Sequence, residues 1–136
     1  MTPVPNLDEA LANLVITNAG DFVYYVGKDA PEGITPHAVI RENHGTSYVI
    51  SLEDAKRLGL DTSLAYTWLT LQIKSSLEVA GLTTAVATTM NAKSIPVNVI
   101  AGFYYDHLLV PKPLAKDALH VLEDLSTQAK GWLPSA

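Results

Sequence analysis

The chain has 136 residues, 48% of them hydrophobic, a size that suits one compact unit or two very small ones sharing a core. Its formal net charge of -5 comes without any cluster of Lys and Arg, so the electrostatic footprint that a phosphate backbone requires is missing and nucleic acid is not an expected partner. Cysteine is absent, which removes disulfides, thiolate metal sites and cysteine nucleophiles together.

The first residues carry no basic start and no apolar h-region, and no later apolar run approaches the length of a membrane span. The expectation is a soluble, cytoplasmic protein with no membrane partner. In chain order, Asn6 is placed to cap a short amphipathic helix, with Glu9 reaching back and Leu7, Ala10, Leu11 and Leu14 on one face. Asn18 to Asp21 reads as punctuation, and Phe22 to Val26 as a strand. Gly27 to His37 is loop chemistry. Ala38 to Asn43 and Ser47 to Ser51 flank His44-Gly45-Thr46 as a hairpin, after which Ser51 caps a short helix that ends at Gly59.

Tyr66 to Lys74 alternates cleanly, with Leu69, Leu71 and Ile73 on one face and Trp68, Thr70, Gln72 and Lys74 on the other. Leu82, Ala85, Val86 and Met90 recur at helical spacing up to about Ala92. Val97 to Phe103 and Asp106 to Val110 read as a second hairpin. Lys112-Pro113 then opens a helix to about Ser126, whose buried stripe is Leu114, Ala118, Leu122 and Leu125. The two halves rhyme, and SYVISLEDAKRLGL matches DHLLVPKPLAKDAL in kind. The expected fold class is α+β: two ferredoxin-like units, residues 1–63 and 64–136, with antiparallel sheets covered by helices on one face.

The run from Gly81 through Ala101-Gly102-Phe103-Tyr104-Tyr105-Asp106-His107, with Trp68-Leu69-Thr70-Leu71 before it and Val97-Asn98-Val99 within it, resembles an ACT domain. The kind is that of aspartokinase regulatory regions and of small stand-alone tandem-ACT proteins. The resemblance implies βαββαβ-related units, small-molecule regulation, usually by amino acids bound between ACT units, and no catalytic activity. The first half departs from the pattern by lacking the Gly-led inner helix, which puts a second, equivalent site in doubt.

The expected ligand-binding residues are Ser75, Ser76, Gly81, Leu82, Thr83, Thr84, Val97, Asn98 and Asp106. Free N–H groups where the Leu82 helix begins suit a carboxylate, Gly81 allows close backbone approach, and Asn98 or Asp106 would accept from an ammonium. A purely structural account competes: Gly81 as turn, Ser75, Ser76 and Thr83 as caps, and Asn98 satisfying a backbone group.

Asp106 and His107 are poor catalytic partners, because adjacent strand residues point to opposite faces. His37, His44 and His120 show no metal-ligand spacing, and neither a phosphate loop nor a zinc-protease motif is present, so no cofactor and no metal are expected. Trp68 and Ile100 fall on the face away from the helices, and the second half lacks a closing strand after Ser126. Its edge is expected to pair with another subunit or to be covered by Gln128 to Ala136, and the expected partners are a small molecule and further copies of the chain in a homodimer or larger homo-oligomer. A ligand-free interaction module on the same scaffold is the alternative.

Overall fold

In the computed structural model, which describes residues 7–72 and 81–132, the chain runs α1 (Leu7–Ala12), β1 (Val15–Gly27), β2 (Ala38–Glu42), β3 (Gly45–Ser51), α2 (Leu52–Arg57), β4 (Tyr66–Gln72), α3 (Leu82–Ala92), β5 (Asn98–Ala101), β6 (Asp106–Pro111) and α4 (Ala115–Trp132). A short 3-10 turn, Lys112–Leu114, leads into α4. The strands make one six-stranded antiparallel sheet in the order β2-β3-β1-β4-β6-β5.

β1 joins the two halves. Residues Phe22 to Gly27 pair with β3, and Val15 to Phe22 pair with β4, so Phe22 has a register partner in both neighbouring strands. The turn-like residues Asn18 to Asp21 do not break the strand; they shift its register between Asn18 and Gly20, where Asn18 Oδ1 accepts the Gly20 N–H at 2.8 Å. The same residue types that build turns also build bulges, and composition does not separate the two.

One face of the sheet carries the helices. Leu69 and Leu71 of β4 and Leu108 and Val110 of β6 pack with Leu82, Val86 and Met90 of α3 and with Ala118, Leu122 and Ala129 of α4. Ala118 and Leu122 of the expected α4 stripe are fully buried, while Leu114 and Leu125 pack at its margin. A smaller cluster, Val23, Tyr48 and Ile50 with Ala55 of α2 and Ile34 of the loop, covers the first half. Ser51 begins α2 as expected, its Oγ accepting from the Asp54 N–H at 3.1 Å.

The expectation of an open flank after Ser126 is corrected. α4 continues as helix through Gln128 to Trp132, and the free side of β4 is taken by β1 of the same chain. Residues 133–136 lie outside the described residues. The open edges of the sheet are β2 and β5 instead. Among the described residues, no helix is long and apolar enough to cross a membrane.

On the face away from the helices, Phe22, Val49, Trp68 and Leu109 form a separate buried cluster with Ala38, Tyr66 and Ile100 at its margin. Alternation along β4 and β5 puts Trp68 and Ile100 there, as the sequence requires.

Candidate functional site

Gly81 starts α3 at φ +85° with no side-chain cap. A Cβ at this position would meet nothing nearer than Leu7 Cδ2 at 3.8 Å, so it is the left-handed backbone, not lack of space, that calls for glycine. The helix closes its first turn with the Ala85 N–H donating to the Gly81 carbonyl at 2.8 Å. Leu82 is buried and pins the helix start to the core, whereas Thr83 and Thr84 face outward. Thr83 Oγ1 donates to Asp106 Oδ2 at 2.7 Å, bringing the first residue of β6 to the first turn of α3. Gly81, Leu82, Thr83, Thr84 and Asp106 therefore form one neighbourhood: helix-start amides beside a carboxylate.

Two expected members do not join it. Asn98 pairs with Leu109, three residues along β6 from Asp106, a span of roughly 10 Å. Alternation also puts its side chain on the Trp68 face, away from α3. Val97 packs against the helix-side core. The reason is topological: the chain leaves the C-terminal end of α3 to begin β5, so it is the end of β5, Ala101 opposite Asp106, that lies near the start of α3. Ser75 and Ser76 lie outside the described residues.

A second group of polar side chains gathers on the other face, where alternation predicts His107. Trp68 Nε1 donates to Thr70 Oγ1 at 3.1 Å, and Thr70 Oγ1 lies 2.9 Å from His107 Nδ1. With the His107 proton on Nε2, Thr70 Oγ1 accepts from Trp68 and donates onward to Nδ1. The Trp68 ring centroid lies 5.1 Å from that of His107 and 4.5 Å from that of His37, and His37 also lies 4.6 Å from Phe22. Burial holds the His107 imidazole below its ordinary value, His37 adds to that effect, and Asp106 opposes it.

His37 belongs to this group although the sequence places it in a loop with no partner. Its N–H donates to the Val49 carbonyl at 2.7 Å, fixing it one residue before β2. Its approach to Trp68 depends on β3 and β1 lying between β2 and β4, which no local pattern announces. Among the described residues, no group of three or more His, Asp or Glu is placed to hold a metal ion.

Residues 63–124, spanning β4 through most of α4, match the family model of the ACT domain. The crystal structure of a protein of unknown function from Vibrio cholerae, described as a possible transport protein, is similar at a TM-score of 0.77 and 35% identity, over 88% of this chain and 95% of that one. A protein from Agrobacterium tumefaciens shares the fold at a TM-score of 0.55 and 15% identity, over 78% of this chain and 81% of that one. No curated protein matches the chain significantly. With its ACT match over residues 63–124, the chain belongs to the same family as the Vibrio cholerae protein.

Proposed function

We propose that the chain is a non-catalytic regulatory module that binds a small zwitterion, an amino acid, at the start of α3, and works as a homo-oligomer. The observation that carries this reading is the 2.7 Å hydrogen bond from Thr83 to Asp106. It holds a carboxylate beside uncapped helix-start amides, so the amides suit the ligand carboxylate and Asp106 suits its ammonium. The ACT match over residues 63–124 includes every one of these residues.

The reading includes two ACT-like units, residues 1–63 and 64–136. Strand order supports it. Numbered from β1, the first half runs 2-3-1-4 across the sheet, with β4 as its fourth strand. Numbered from β4, the second half also runs 2-3-1-4, with β1 as its fourth. Each unit thus borrows the first strand of the other, and the sheet stays continuous.

Thermal unfolding with each common amino acid tests the proposal. A ligand at about a hundred times its dissociation constant adds roughly 2.7 kcal/mol by binding only the folded state. One or a few amino acids are expected to raise Tm, and Asp106→Ala is expected to abolish that rise. A flat panel contradicts ligand binding.

The second reading, a ligand-free interaction scaffold, is favoured by one observation: Tyr24 and Val26, on the same face of β1 as the buried Phe22, are exposed apolar residues. A flat amino-acid panel from a chain that is dimeric by light scattering supports that reading.

A further inference from the structure

Between α2 and the junction of β6 with α4 lies a cleft of about 430 Å³, at the end of the sheet where Asp106 and the start of α3 are not found. Leu52, Leu64, Pro111 and Pro113 make its apolar lining, and Lys56 and Lys112 are its charged lining residues. Thr62, Ser63 and Tyr66 complete the polar part of the wall, and no carboxylate side chain is among the lining residues. The walls are fixed to one another, because the Lys112 N–H donates to the Ala65 carbonyl at 3.0 Å. A mostly apolar recess of this size with a few convergent polar groups is the ordinary form of a small-molecule site.

Charge narrows the ligand class. Lys112 Nζ is 3.8 Å from Asp21 Oδ2, and the other oxygen of that carboxylate accepts from Thr67 Oγ1 at 2.7 Å. Lys56 has no ion pair among the described residues, although it also borders the neighbouring cleft, which Glu53 and Asp21 line. The lining residues of this cleft thus carry two lysines and no carboxylate, a balance that suits a small anion. Neither an arginine fork nor a glycine-rich loop lines the cleft, so the geometry favours a point-charge contact over the cradle that a phosphate uses. Leu64, 72% exposed at the cleft wall, offers apolar surface that a ligand body would cover.

We propose that this cleft binds a small monocarboxylate with an apolar body, its carboxylate between Lys56 and Lys112 and its body against Leu52, Leu64 and Pro113. The site is separate from the α3 start and does not depend on the amino-acid reading.

Calorimetric titration of the full chain with sodium 4-methylpentanoate tests it, with 4-methylpentanamide and inorganic phosphate as comparison probes. Saturable binding of the carboxylate is expected, weakened about tenfold in Lys56→Gln by loss of one charged contact and unchanged in Asp106→Asn. Lys56 is exposed on α2, so its replacement leaves the fold intact. The proposal is overturned by absence of saturable carboxylate binding, by Lys56→Gln affinity equal to wild type, or by amide or phosphate binding as tight as the carboxylate. An affinity changed in either direction by Asp106→Asn, tighter binding included because a repelling carboxylate is removed, assigns the ligand to the α3 site and overturns the proposal as well.

Discussion

Asp106 and His107 are neighbours in the chain and strangers in space: the Asp106 carboxylate accepts from Thr83 on the helix-covered face, while His107 Nδ1 meets Thr70 on the opposite one. The sheet lies between them, so they cannot serve one substrate together. Each instead ties its own face to β6, Asp106 to α3 and His107 to the Trp68 cluster.

His107 makes stability depend on pH. Its folded value is depressed below the ordinary 6.5, chiefly by burial, so the unfolded chain holds more protons than the folded one in the interval between the two values. Stability is therefore expected to fall as pH drops through about 6.5 and to level off below the folded value. Urea unfolding of wild type and His107→Gln at pH 8 and pH 5 checks this. The variant is expected to lose less stability on acidification, and an identical loss in both contradicts the assignment.

Gly102 closes the β5–β6 turn by donating its N–H to the Tyr105 carbonyl at 2.9 Å. A Cβ at Gly102 would stand 2.9 Å from the Tyr105 carbonyl oxygen and 3.0 Å from His107 Nε2, and the first of these is backbone with little freedom to yield. Gly102→Ala is expected to destabilise the chain by about 1–3 kcal/mol, as overpacking does. Chemical denaturation measures it, and a change within about 0.5 kcal/mol, typical of an uncrowded surface site, contradicts the packing account.

Ser51 caps α2 through its Oγ. Ser51→Ala is expected to cost about 1 kcal/mol and Ser51→Asp to retain most of the capping. Equal denaturation midpoints for Ser51→Ala and wild type contradict the role.

Much of this architecture is visible in local pattern. The alternation in Tyr66-Thr67-Trp68-Leu69-Thr70-Leu71 fixes both faces of β4, and the cap at Ser51 and the glycine at Gly81 mark helix starts, because each of these depends on residues within one turn or one strand. What local pattern misses is long-range. Only Phe22 to Val26 of β1 reads as strand, because bulge and turn share a composition and Asn18 to Asp21 reads as punctuation. The second half reads as lacking a closing strand because the strand beside β4 comes from some 50 residues earlier in the chain, as the pairing of Asn18 with Leu69 illustrates. Asn98 reads as a neighbour of α3's first turn because adjacency in sequence order says nothing of strand direction. His37 and the Lys56–Lys112 cleft arise from segments that only the completed sheet brings together.

Leu122 sits fully buried where α4 meets the sheet. Leu122→Ala is expected to cost about 2–5 kcal/mol through lost burial and residual cavity, and Leu125→Ala, at the margin of the same stripe, to cost less. Paired denaturation curves give the comparison, and the reverse ranking contradicts the assigned core.

The account of function rests on the backbone N–H groups of Leu82, Thr83 and Thr84 beside Asp106. The most direct measurement is a two-dimensional amide spectrum of the labelled chain titrated with each common amino acid. Saturable shifts of those three resonances with at least one amino acid, lost in Asp106→Ala, are the predicted result. Unmoved resonances across the whole series, or saturable shifts confined to other residues, contradict it.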